Sequence, residues 1–292
     1  MYGMLAMLGV AIIFGLFGVF IIYNSIMFGD LFQVALRNGI AFLLLIPILF
    51  WRRISFTFSK EEWFILTAYA LASVFILVVV TLAYLNAPIK TVLAVRYSVT
   101  VVVSLLVSLL LFREQIKLIN VISVFLALLG IGIFAYPFAD FFSIGVLYSV
   151  ITAVGFLIVG TILKKSSASP EALMAAEFFA IAVLVSGVTI LIGAPTINTF
   201  SWFALTIMFT FSALLIVVTY LLVYGYRVLN FNLANIILTS EIIFGLFFGY
   251  LLLEQTVSVI EILGLLLIAI AVSLPYAIKL LQVQSDPVVP IQ

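Results

Sequence analysis

The sequence contains no cysteine and no histidine. Without cysteine there is no disulfide, thiolate nucleophile or sulfur-held metal. Without histidine there is no imidazole to shuttle protons. Charge is scarce too: 8% of residues are Asp, Glu, Lys or Arg, where soluble domains carry roughly 25%. The charges nearly cancel, to +1, and form no basic tract, which excludes a nucleic-acid footprint. There is no GxxxxGK[ST] motif and no soluble segment to hold one, so nucleotide hydrolysis is not the energy source. No cofactor or metal is implied. What the chain has in excess is apolar: 67% of its residues. No soluble fold of this size could cover so much apolar surface, so lipid is the expected solvent. The N-terminus lacks a Lys/Arg-rich stretch, and its apolar run is too long for a cleaved signal, so residues 3–23 are expected to stay as a span.

A spanning helix needs about 20 mostly apolar residues. Ten segments qualify: 3–23, 30–51, 62–84, 88–111, 118–137, 142–163, 170–192, 200–224, 230–252 and 257–280. The breaks between them are short and polar, among them the turn at Asp140 and the GAPTIN stretch before the eighth span. The polar stretch from Gln282 to Gln292 is expected to be a disordered tail. Ten spans put both termini on one side. That side holds Arg52, Arg53, Lys60, Arg113, Lys117, Lys164, Lys165, Arg227 and Lys279; the other holds only Lys90. The positive-inside rule then puts both termini in the cytoplasm.

Pairs of residues recur at one separation. Arg37 and Glu177 lie 140 apart, as do Glu114 and Glu254, which close the similar stretches LLFREQ and LLLEQ. Gly15 with Gly155, Tyr84 with Tyr224, Ala94 with Ala234, Gln115 with Gln255 and Tyr136 with Tyr276 keep the same offset. The chain reads as two copies of one five-span unit, 1–139 and 140–281. Five is odd, so the second copy would be inserted upside down, the plan of many transporters with a site at the midplane.

A charge at the bilayer centre costs roughly 2.5–3.5 kcal/mol on insertion scales and marks a functional site. Arg37, Arg96, Glu177 and Glu241 are deep enough to count. At 1.5 Å per residue, Arg37, Arg96 and Glu241 lie about 10–17 Å below the external surface, where they could form one cluster. They either line a substrate path or pair only to fix helix packing; a buried ion pair is a poor source of stability. Tyr97, Tyr148, Tyr220, Tyr224, Tyr226, Asn232, Asn235 and Ser240 add polar tips. Tyr224 and Tyr226, with Trp51, Trp63 and Trp202, are expected in the interfacial belts. Gly245 and Gly249, spaced as small-xxx-small, are expected to let helices approach closely.

These residues resemble the EamA-type transporters of the drug/metabolite transporter superfamily. The carriers of the resemblance are Phe14-Gly15 in the first span, Arg37 in the second, Glu114 and Glu254 closing the fourth and ninth, and Gly130, Gly132 and Gly264 beyond them. The resemblance covers nearly the whole chain. It departs where the family often has proline, near Val102 and Ile242, so proline gives no reason for a kink there. It implies an all-α membrane protein of ten helices in two inverted repeats, with a cavity lined by spans 1–4 and 6–9. It also implies a secondary transporter of small organic metabolites, such as amino acids or amines, often as export. The candidate site residues are Arg37, Arg96, Tyr97, Glu177, Asn235 and Glu241. The expected partners are a small-molecule substrate and the bilayer, with protons a candidate coupling ion through Glu241 or Glu177. Two other functions are weighed against this. Lys90, Arg96 and Arg37 could hold a phosphate, as in sugar-phosphate or nucleotide-sugar exchangers. An intramembrane enzyme would need facing aspartates or metal ligands, and Asp30, Asp140 and Asp286 fall in loops or the tail.

Overall fold

The computed structural model describes residues 2–54, 57–136, 143–193, 197–198 and 201–285, with side chains as far as Pro275. The Asp140 turn and residues 286–292 lie outside the described residues. Every extended element among them is a helix: α1 (Tyr2–Met27), α2 (Phe32–Trp51), α3 (Lys60–Asn86), α4 (Ile89–Leu110), α5 (Leu118–Ala135), α6 (Ile144–Lys165), α7 (Pro170–Leu191), α8 (Trp202–Val228), α9 (Phe231–Leu238), α10 (Glu241–Leu253) and α11 (Val259–Ser285). Lipid offers no partners to backbone amides, so a helix, which bonds its own, is what these apolar runs can form. Nine segments are long and apolar enough to cross a membrane, counting α9 and α10 as one, and α11 adds an apolar stretch to Pro275. The helix α11 runs on to Ser285, into the segment from Gln282 expected to be an irregular tail.

Caps start the helices where the sequence turns polar. Ser59 and Glu62 bond each other's backbone amides at the head of α3, and Ser258 and Glu261 do the same before α11. Ser169 caps α7, followed by Pro170 at the first helical position.

The helices pack α1 on α8, α3 on α6, α2 on α7, α5 on α11, and α4 on α9 and α10. Both ends of the bundle are tied. At one end Arg52 meets Glu171 at 2.7 Å and Lys164 meets Glu114 at 3.0 Å. At the other, Lys90 meets Glu261 at 3.0 Å, Asn198 N–H donates to the Met27 carbonyl, and Tyr23 donates to the Leu252 carbonyl. Glycines mark the closest approaches. A Cβ on Gly130 would meet the Gly264 carbonyl at 2.8 Å, and one on Gly15 would meet the backbone of Phe244 and Gly245 at 2.9 Å. Gly245 thus serves the close approach expected of it, toward α1 and Leu93 of α4; Gly249 instead faces the Gln255 side chain.

Several contacts recur along the chain. Gly3 faces Val228 and Leu229, and Gly145 faces Asn86 and Ala87. Gly18 faces Tyr84, and Gly160 faces Tyr226. The members of each set are 142 residues apart. On α2 and α7 the separation is 140: Gly39 faces Ala182, and Phe42 packs on Phe179 with ring centroids 5.5 Å apart. After α4 and α10 it is 141. Arg113 and Glu254 both take left-handed backbone, and the amides of Glu114 and Gln255 donate to carbonyls six residues back, on Ser108 and Gly249. In backbone and contacts Glu254 is similar to Arg113 rather than to Glu114, and Tyr84 to Tyr226. A single offset of 140 does not describe the chain.

The ninth span is broken, without proline. Thr239, Ser240, Ile242 and Ile243 donate backbone hydrogen bonds three residues back rather than four. Such a turn rises about 2.0 Å per residue against 1.5 Å for an α-helix. This accounts for one residue fewer between Asn230 and Glu254 than between Pro88 and Arg113. The Thr239 and Ser240 hydroxyls bond the carbonyls of Ile236 and Ile237, competing with the regular ladder.

Candidate substrate site

The break puts Glu241 in the first turn of α10, fully buried. Its carboxylate forms an ion pair with Arg96 of α4, itself buried. Tyr97 donates a hydrogen bond to the same carboxylate, and Tyr84 of α3 reaches it at 3.4 Å. The Arg96 guanidinium lies 4.7 Å from the Tyr97 ring centroid and 5.4 Å from that of Phe156. A carboxylate facing one guanidinium and two phenols is compensated in a way that water would otherwise have to supply.

Arg96, Tyr97, Tyr226 and Asn235 line one small cavity with Phe14 and Phe156. Tyr226 donates to the Asn235 side-chain oxygen at 3.0 Å, and Asn235 donates to the Phe231 carbonyl. Tyr226 is thus buried at the site and not in the interfacial belt, whereas Tyr220 and Tyr224 are exposed. Trp51, Trp63 and Trp202 are exposed near helix ends, as belt residues would be. Asn232 serves packing: its amide N–H donates to Ser108 and its side chain reaches Ser104, pinning α9 to α4.

Arg37 does not join Arg96 and Glu241, contrary to the single cluster their depths allow. It donates to Thr81 at 3.0 Å and lies 4.6 Å from the Phe211 ring centroid. Its Nε and Nη1 atoms, like the amide groups of Asn24 and Gln33, are buried without a partner among the described residues. Depth alone could not separate the two arginines; rotation about the helix axis does, and it turns Arg37 toward α3 and α8. Glu177 lies in a second cavity, accepting a hydrogen bond from Tyr69 at 2.6 Å. Phe14, Phe156 and Leu222 wall both cavities and separate them. Residue-type reasoning passed over Tyr69, Ser73, Tyr84 and Phe156. Tyr84 had a signal in the recurring pairs, but Phe156 recurs with Phe14 only at 142.

Glu114 holds helix ends together. Both its oxygens accept from Phe231 N–H, at 3.0 and 2.9 Å, and it also takes the Ser108 hydroxyl and Lys164. Glu254 is exposed in its left-handed position.

Comparison with known proteins agrees with this architecture. A crystal structure described only as that of a protein superposes with a TM-score of 0.77 at 14% identity, over 94% of this chain and 98% of its own. At that identity the likeness shows the fold alone. No curated protein matches the sequence. Residues 1–136 match the model of the EamA-like transporter family. Over residues 1–136 the chain is thus similar to the EamA-like transporter family, which is part of the drug/metabolite transporter superfamily, and its nine membrane-length helices among the described residues make it a multi-pass membrane protein.

Proposed function

We propose that the chain is a secondary carrier, working by alternating access, that exports small zwitterionic metabolites such as amino acids across the cytoplasmic membrane. The observation that carries this reading is the buried Arg96–Glu241 pair at a helix break, beside a cavity walled by Phe14, Phe156 and Tyr226. A zwitterion can take over both members of such a pair, its carboxylate on the guanidinium and its ammonium on the carboxylate, while an apolar group lies against the rings. Broken helices at a midplane site are a recurrent device of carriers. A mid-helix 3₁₀ turn is a common hinge.

The recurring contacts support two inverted copies. Exchanging the halves turns the α1·α8 contact into α6·α3 and the α1·α10 contact into α6·α4, and both members of each set are present. It also turns the Tyr69–Glu177 contact into Phe211–Arg37, likewise present. The copies would be 1–139 and 140–281, with both termini in the cytoplasm by the excess of basic residues at that end. A phosphate-exchange reading has less support. Lys90 is paired with Glu261, Arg96 with Glu241, and Arg37 points elsewhere, so the three cations do not converge.

The test is uptake of radiolabelled amino acids, amines and nucleotides into proteoliposomes. One amino acid should accumulate, and Arg96→Gln and Glu241→Gln should each abolish this in protein that is less stable but still folded in detergent. Normal transport by Glu241→Gln would remove the carboxylate from the site. Transport confined to a phosphorylated compound would replace the zwitterion with an anion.

A further inference from the structure

The cavity around Glu177 is separate from the ion pair and has its own chemistry. It measures about 40 Å³, room for two or three waters at roughly 10–15 Å³ each. Its polar wall is the Glu177 carboxylate, the Tyr69 phenol and the hydroxyls of Ser73 and Thr219. Ser73 is buried beside Glu177 and Tyr69, and its hydroxyl makes no hydrogen bond of full geometry to either. The groups facing Glu177 can be taken helix by helix. Tyr69 is the one ionisable group that α3 contributes to the wall; α1 and α6 contribute Phe14, Phe17, Phe156 and Val159; α8 contributes Leu215, Val218, Thr219 and Leu222. On α2, the buried charge is Arg37, which bonds Thr81 and forms no ion pair with Glu177. Arg52, at the end of that helix, is taken by Glu171.

A buried carboxylate without a cation can meet its desolvation cost in one other way, by holding a proton. We infer that Glu177, Tyr69 and Ser73 form a proton-binding site next to the substrate cavity. In the ionised form Glu177 accepts from Tyr69. In the neutral form its own O–H can donate to Ser73, whose oxygen has no other donor. The proton moves between carboxylate and cavity water, so no other group changes oxidation state or leaves. Glu241 is unsuited to the task, because Arg96 already neutralises it. Tyr69 and Glu177 join α3 to α7, so the charge on Glu177 also alters a contact between two helices that line the central region. Use of the proton as coupling ion rests on the carrier reading above; its binding does not.

The purified protein in nanodiscs is treated with dicyclohexylcarbodiimide from mildly acidic to neutral pH, and the modified peptide is mapped by mass. The acid O–H adds across a C=N bond of the reagent, oxygen to carbon and proton to nitrogen, so only a protonated carboxyl reacts. Glu177 should be modified, about tenfold less for each pH unit above its midpoint, and Glu177→Gln should not be labelled. Tyr69→Phe removes a donor to the ionised form and should extend labelling to higher pH, which a purely structural Tyr69 would not do. Infrared spectra supply a readout free of reagent access: the carbonyl band of a protonated carboxyl should vanish in Glu177→Gln and persist in Glu241→Gln. Labelling confined to Glu241, or a Glu177 without the infrared band in folded protein at mildly acidic pH, overturns the inference. These readings do not depend on whether a transported substrate has been found.

Discussion

Two kinds of buried charge sit within this bundle. Arg96 and Glu241 meet each other directly, with Tyr97 and Tyr84 on the carboxylate. Among the described residues Arg37 and Glu177 meet no opposite charge: one lies over a phenyl ring and bonds a threonine, the other takes a phenol. The pair is stable only as a pair. The lone charges depend on neutral neighbours, and the carboxylate among them can change its state without stranding a partner. A pair suits exchange of partners with a zwitterion, whereas a lone carboxylate suits uptake and release of a proton.

The largest effect expected is on the pair. Arg96→Gln or Glu241→Gln leaves one charge buried and unpaired, and each should lower stability by about 3–5 kcal/mol, with the double variant regaining most of it. Thermal unfolding in detergent measures this, and a double variant as unstable as the singles would break the comparison. Arg37→Met comes next. It strands no anion and gives up the bond to Thr81, so a loss of about 1.5 kcal/mol or less is expected, with a gain also compatible. A loss as great as that of Arg96→Gln would mean that Arg37 has an anionic partner. Glu177→Gln should be smallest, about 1 kcal/mol or less, because the amide oxygen can still accept from Tyr69. A larger loss would show that the charge itself holds α3 to α7.

Much of this was legible in the sequence. The membrane-length helices, nine among the described residues, follow from composition, since so apolar a chain has few options in lipid. The deep charges stand out because each is costly there. The break at Thr239 and Ser240 was not, since neither proline nor glycine marks it and two hydroxyls make it instead. Tyr226 was placed at the boundary because the eighth span was ended at residue 224; α8 continues to Val228 and carries the ring inward onto Asn235. The choice of Arg96 over Arg37 for Glu241 turns on helix rotation, which span depth does not encode. Recurring residues stood out at a separation of 140, but the recurring contacts lie at 140, 141 and 142, a drift that single-residue matches do not show.

Glu114 has a mechanical side. Its carboxylate is held at once by the end of α4, by Lys164 of α6 and by the first amide of α9. It ties three helices together at that end of the bundle, and one of its partners is the positive end of a half-helix whose other end carries the 3₁₀ turn. In the carrier proposed above, a swing of α9 about Thr239 and Ser240 would draw Phe231 off the carboxylate and leave Lys164 to retain it, so the acid would keep a partner.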